Sequence, residues 1–445
     1  MKYLRSRGKS LSLVEVMAIA IGGMVGGGIF SILGISVSMI GYLTPIAIIL
    51  GGLMALLAGY SYVKLGLYYR DEGATYAFIK RTYPKSHLAA AAIGWLTVFG
   101  YISTLSLYAY TFSSYAISGT DFADSAWTRK VVAWGILGVF TLINLWSVKG
   151  MGRIEDLMVY SKTLILAVIS ILLMTHGKTD FTTFIEQMAQ DVRQTPFLRI
   201  LIAASITFVA YEGFQLVINA VNEMKRPEKN IPRAIYAAII TVMMIYVILS
   251  VGALFALHIE DIIHGKEYAL AAGAQKVIGR LGYDLVVFGA ILATSSALSG
   301  TVFGASRQMA RIADDGYLPA WLRRRRRHIP VNAVLTMAAL AGVLILVGGL
   351  QLILEFGSIT FLLVSFLVAM ANHHIKDKTH ASPIIAIGAM LTLAAGGVLI
   401  LYYELMHQPI QMAAIFTLYV LLAGGAIIYA KKRARALSHS GPPLG

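Results

Sequence analysis

Four groups of residues stand where their types and spacing permit chemistry. Ile21-Gly22-Gly23-Met24-Val25-Gly26-Gly27-Gly28-Ile29-Phe30 places five glycines in seven positions of a long apolar run. Glycine costs about 1 kcal/mol relative to alanine within a helix, so the cluster requires a reason. A helix that unwinds here and restarts near Gly27 presents free amides and a positive dipole end, suited to a carboxylate. The carbonyls of Ile21 to Val25 would accept from an ammonium, so one segment complements both ends of an α-amino acid. Close helix packing through Gly22 and Gly26 is the competing reading.

Phe208-Val209-Ala210-Tyr211-Glu212-Gly213-Phe214 interrupts a second apolar run. Its Val209, Ala210 and Glu212 carbonyls suit an ammonium, and Phe208 and Tyr211 are placed to cover a ligand. Aromatics within a span also serve plain packing. Glu212 is an intramembrane carboxylate and therefore a functional candidate by default. It would add charge for a cationic substrate, or face another helix and hold a proton. Lys162 is the one Lys or Arg deep inside an apolar run. Burial disfavours the charged form of an amine, so this lysine is suited to gaining and losing a proton. A static ammonium that ties helices together is the alternative. Ser295, Ser296 and Ser299 lie at helical spacing, on one face that would line an ion site, accept from a lysine, or bond back to its own helix.

These residues must be positioned by membrane helices. The chain has 445 residues, 58% hydrophobic and 13% charged. Apolar runs of about 20 residues recur, each able to cross ~30 Å of hydrocarbon, whereas a transmembrane barrel would alternate over ~10-residue segments. The expected fold is an all-α integral membrane protein of twelve transmembrane helices, at roughly 13–40, 44–67, 88–117, 130–148, 155–176, 197–220, 233–257, 268–305, 331–350, 352–372, 382–404 and 409–430. Twenty-eight of the 37 lysines and arginines fall before the first span, after the last, or in alternate loops. With the N-terminus inside, that asymmetry obeys the positive-inside rule, so both termini are expected in the cytoplasm and the net charge of +15 reflects topology rather than nucleic acid. The run Arg323 to Arg327 suits anionic headgroups.

The two interrupted spans are the first and sixth. An offset of five reverses orientation, and paired broken segments in inverted halves point to a transporter's central site. The expected units are an N-terminal segment 1–12, a first repeat 13–196, a second, inverted repeat 197–380, two further helices in 381–430, and a disordered cytoplasmic tail 431–445. No cysteine is present. His373, His374 and His380 lack a completing ligand set, and Glu404 with His407 reads as outer-loop. No phosphate-binding loop or nucleophile–base arrangement points to an enzyme, and no cofactor is expected beyond a proton as coupling ion.

Three motifs resemble the amino acid–polyamine–organocation (APC) superfamily: the Gly22–Phe30 break, the Phe208–Phe214 break, and the loop Asn222-Glu223-Met224-Lys225-Arg226-Pro227-Glu228-Lys229-Asn230-Ile231-Pro232-Arg233-Ala234-Ile235. The segment from Arg153 through Glu155 to Lys162 is most similar to an archaeal proton-coupled, broad-specificity branch. The resemblance implies a LeuT-like fold with a five-plus-five inverted repeat, broken helices 1 and 6, and amino acid transport by alternating access in the cell membrane. It implies carboxylate contact at Gly26, Gly27 and Gly28, and ammonium contact near Met24, Val209, Ala210 and Glu212, to which the reading of the unwound carbonyls adds Val25. It also implies proton coupling by Lys162 through the Gly22 carbonyl and Ser295 or Ser296. Glu212 and Gly27 depart from the usual pattern. An exchanger of cationic amino acids or polyamines is the alternative, and a non-transporting receptor a remote one. The expected partners are the amino acid and membrane lipids, and a monomer suffices.

Overall fold

The structure, a computed structural model, describes residues 11–146, 151–177, 180–265, 268–326 and 329–439. The side chains of 151–157 fall outside that description, so Arg153 and Glu155 are not placed, and neither is Arg327. Among the described residues the chain is helical throughout, apart from isolated bridges that pair Leu11 with Met224 and Arg326 with Ile329.

Ten helical runs are long and apolar enough to cross a membrane. One of them, Gly28–Tyr69, has 42 residues, about 63 Å of helix and twice a bilayer's hydrocarbon thickness. It turns back at Gly41, whose φ of 56° favours glycine, and so makes two crossings. Leu13–Met24 completes the first of these, and the short apolar helix Val331–Val347 supplies one more. Twelve spans result among the described residues. Span 1 is Leu13–Met24 with Gly28–Ile40, span 2 Thr44–Tyr69, span 3 His87–Ile117, span 4 Ala126–Trp146 and span 5 Met151–Thr175. Span 6 is Phe197–Thr207, a 3₁₀ turn Phe208–Tyr211 and the short helix Leu216–Asn219. Spans 7 to 12 are Pro227–Ala256, Arg280–Asp314, Val331–Val347, Leu350–His374, Pro383–His407 and Pro409–His439.

Four expectations are corrected. The run 268–305 is two helices, Ala269–Ile278 and span 8, separated at Gly279 with φ 79°. Span 7 begins six residues early, because Pro227 suits the first helical turn, and the helix runs on through Pro232 at the cost of the bond that residue 232 would donate to the Glu228 carbonyl. The tail after Lys431 is helical to His439, since a Lys-, Arg- and Ala-rich continuation of span 12 favours helix. Glu404 is fully buried inside span 11 rather than on a loop.

Twelve crossings put both termini on one side. There Leu11 pairs with the loop after span 6, its amide donating to the Glu223 carbonyl at 3.0 Å and its carbonyl accepting from Lys225 at 3.0 Å. Asp71 accepts from Arg81 at 2.5 Å, Arg311 at 3.3 Å and the Gly73 amide at 2.8 Å, which ties the loop after span 2 to span 8. At the opposite end the amphipathic helix Phe181–Gln194 lies beneath the turn between spans 1 and 2. Asp191 accepts from the Tyr42 amide at 2.8 Å, and Phe184 stacks on Phe255 of span 7 with ring centroids 4.7 Å apart. Both ends of the site described next are thus braced from outside the spans.

Candidate functional site

The first break runs from Val25 to Gly27. The helix ends at Met24, and the Gly26 amide reaches back only two residues, to the Met24 carbonyl at 2.9 Å. A new helix starts at Gly28, so the amides of its first turn have no partner within their own helix. Met24 to Phe30 are all buried. The second break has a 3₁₀ turn at Phe208–Tyr211, an extended Glu212 and Gly213 at φ 130°.

The two breaks meet backbone to backbone. A Cβ on Gly28 would sit 3.1 Å from the Ala210 Cα, and one on Gly23 would sit 3.1 Å from the Gly213 Cα. The packing reading of the glycines is therefore also met by the geometry. Span 3 closes on the remaining glycines, with Tyr108 against Gly26 and Thr111 against Gly27. The broken segment and the close packing are one arrangement, because opposing backbones reach each other only where side chains are missing.

Tyr246 of span 7 joins the breaks. Its hydroxyl lies 2.9 Å from the Met24 carbonyl and 3.3 Å from the Ala210 carbonyl, so one hydroxyl serves both broken helices. Tyr108 donates to the Gly23 carbonyl at 3.4 Å. Sequence reading missed both tyrosines, because a lone aromatic within a span reads as packing. The signal that marks them is the need of unwound carbonyls for donors. Tyr246→Phe removes that donor and keeps the ring. It is expected to weaken ligand binding about fivefold, the equivalent of about 1 kcal/mol for one neutral hydrogen bond, with little change in expression. A ligand titration by thermal shift checks it.

The other candidates fall around this centre. Phe208 is fully buried, and the Tyr211 hydroxyl donates to the Ile48 carbonyl of span 2 at 2.8 Å, so Tyr211 anchors span 6 rather than lying free over a ligand. The Val209 carbonyl accepts from the Glu212 amide at 3.2 Å and keeps a second lone pair. Glu212 is buried, with the Gln215 side chain and the Gly213 amide beside its carboxylate and the Tyr62, Tyr101 and Tyr108 rings in its surroundings.

Lys162 is 1% exposed, and its ammonium donates to the Gly22 carbonyl at 2.8 Å and to the Ser296 hydroxyl at 3.4 Å. The lysine thus spans from span 5 to span 8 across the last turn before the first break. Of the two serines weighed for this contact, the structure brings the Ser296 hydroxyl to the amine. Val159, almost one turn before Lys162, packs on Gly22 where a Cβ would meet it at 2.6 Å. Among the described residues no group of histidines, cysteines and acids could hold a metal ion.

The comparisons with known proteins agree with this architecture. A family model described as amino acid permease matches residues 11–429. An uncharacterized protein of Methanocaldococcus jannaschii is 28% identical over 98% of each chain. The inner membrane transport protein YbaT of Escherichia coli is 28% identical, with 86% of this chain and 88% of that one covered. The Asc-type amino acid transporter 1 of Mus musculus is 26% identical over 79% of this chain and 67% of its own. The match extends over all twelve spans, both breaks and the loop that Leu11 clasps, and so the chain belongs to the amino acid permease family of the APC superfamily, a family of membrane transporters and not of enzymes.

Proposed function

We propose that this protein is a secondary active transporter that carries an α-amino acid across the cell membrane by alternating access, coupled to protons through Lys162. The observation that carries the reading is the pair of broken helices held face to face and bridged by Tyr246. The amides of Gly27 and Gly28 would hold the substrate carboxylate at a helix N-terminus, whereas the Gly26 amide already donates to the Met24 carbonyl. The carbonyls of Val25, Val209, Ala210 and Glu212 would accept from its ammonium, and the Met24 carbonyl, which accepts from the Gly26 amide and the Tyr246 hydroxyl, would frame the site beside them. In this reading the halves 13–196 and 197–380 are inverted repeats of a LeuT-like fold, residues 381–430 are an addition, and both termini lie in the cytoplasm, as the loop charges favour.

Coupling requires that the ligand and the proton each bias the same two-state element. The Gly22 carbonyl is one turn before the break, so the charge on Lys162 acts on the backbone that would hold the substrate. A charged donor holds that carbonyl more strongly than a neutral amine does.

A second reading rests on Glu212. A buried carboxylate whose neighbours are the neutral Gln215 and Gly213 amides suits a second positive charge on the substrate, as in a cationic amino acid or a polyamine moved by exchange. A thermal-shift screen of all amino acids and polyamines on purified protein tests both, since a ligand of the native state raises apparent stability. Stabilisation by neutral α-amino acids, followed by uptake into proteoliposomes under an inward proton gradient, is the expected result. Stabilisation by cationic ligands alone that Glu212→Gln abolishes, with uptake only against internal substrate, selects the exchanger. Stabilisation with no uptake in any format would point to a receptor.

A further inference from the structure

A second buried acidic constellation lies away from the broken helices, where span 10 begins and span 11 ends. Glu355 sits one turn into span 10, and Glu404 lies in the last turn of span 11. Both are 0% exposed. They face each other closely enough for one hydrogen bond, if one of them carries a hydrogen.

Three glutamines are chained onto the pair. The Gln411 amide nitrogen donates to Gln408 at 2.5 Å, Gln408 to Gln351 at 3.4 Å, and Gln351 to Glu355 Oε1 at 2.8 Å. Each glutamine therefore directs one N–H along the chain toward Glu355. The remaining atoms are all acceptors. Glu355 Oε2, both Glu404 oxygens and Gln411 Oε1 are buried without a donor. The titratable groups beside the pair are Tyr403 and His407 of span 11, with Arg199 in the first turn of span 6 near Tyr403. None of them hydrogen-bonds to either carboxyl, and Glu355 accepts from Gln351 alone.

A deprotonated carboxylate has no hydrogen to donate. Two adjacent carboxylates out of water, with no cation bonded to them, repel strongly. A single proton converts one oxygen into a donor and relieves both deficits. Gln351 donates to Glu355 Oε1, so the shared hydrogen lies between the other oxygens of the two carboxyls. Gln351 and Gln408 are only half-buried, and His407 is exposed, so the pair lies close to water.

We propose that Glu355 and Glu404 form a proton-binding site that holds one exchangeable proton between the two carboxyls and joins spans 10 and 11 separately from Lys162. The site does not depend on the transport reading above. On proton binding an O–H bond forms on one of the two carboxyls and its hydrogen bond to the other closes. On release the proton leaves by the Gln351–Gln408 side, and the two anions push the spans apart.

Infrared spectroscopy of the purified, full-length protein in lipid tests this directly. The wild type is expected to show a deuterium-sensitive C=O stretch of a protonated carboxyl that is lost as pH is raised. Glu404→Gln and Glu355→Gln, each nearly isosteric, should lose that band, while Glu212→Gln retains it. Either variant suffices if the other does not fold, and the wild-type titration needs neither. A wild type without the band, or a band that survives in both variants, overturns the proposal. So does a thermal stabilisation specific to sodium over potassium at constant ionic strength that Glu404→Gln removes, because the acceptors would then hold a metal cation in place of the proton.

Discussion

Proteoliposomes carrying Lys162→Ala are expected to take up substrate at a rate that no longer responds to pH, where the wild type responds by about tenfold, the equivalent of a coupling of 1–2 kcal/mol. The expectation follows from the contacts of the amine. It donates to the Gly22 carbonyl at 2.8 Å and to Ser296 at 3.4 Å from a fully buried position. An ammonium contact is worth about 1.5–3 kcal/mol and a neutral one about 0.5–1.5 kcal/mol. The difference acts on the turn that leads into Gly26 to Gly28. At low pH the ammonium holds this turn; as pH rises through the titration of the amine, that hold weakens. Alanine removes both states and with them the pH response. Lys162→Met keeps the length of the side chain without its charge and should behave alike, which separates charge from packing. The ligand-induced thermal shift should persist in both, since neither change touches the proposed binding atoms. A pH dependence that survives in both variants would sink the proton assignment.

Gly213→Ala is expected to abolish the ligand-induced thermal shift and to lower uptake on the order of a hundredfold, the loss expected from misplacing a site by about 1 Å. Gly213 has φ 130°, which an L side chain rarely adopts. Its added Cβ would lie 2.6 Å from the Met24 amide nitrogen and 2.9 Å from the Gly23 Cα. These are backbone atoms of the opposing break, so no rotamer relieves the clash and the two broken segments must separate. The left-handed strain adds about 1–3 kcal/mol. Gly28→Ala meets the Ala210 Cα at 3.1 Å and should be milder, since a shift of a few tenths of an ångström accommodates it. Gly135→Ala in span 4 meets nothing within 4 Å and is the control for glycine replacement as such. Equal effects at all three positions would mean that helix propensity, and not the meeting of the breaks, decides the phenotype.

Glu404 illustrates what a sequence hides. It stands three residues before the end of an apolar run and reads as part of an outer loop, yet the helix carries it inward to Glu355 on a neighbouring span. Nothing local distinguishes a charged residue at a helix end that faces water from one that faces another helix. Tyr246 is a similar case. Its role depends on two carbonyls, Met24 and Ala210, that precede it by 222 and 36 residues.

The sequence by itself determined the class of the molecule, the run of its spans and the location of both breaks, because lipid forces every crossing to be a long apolar helix and makes an interruption costly. It also singled out Lys162 and Glu212, since a charge at that depth stands out against its apolar neighbours. Only the tertiary structure decided which atoms meet. It set Ser296 beside the lysine, turned the Tyr211 hydroxyl to span 2, set Tyr246 across both breaks and joined Glu355 to Glu404. Those choices depend on the rotation and depth of one helix against another, which packing over the whole bundle sets and which no single apolar run records.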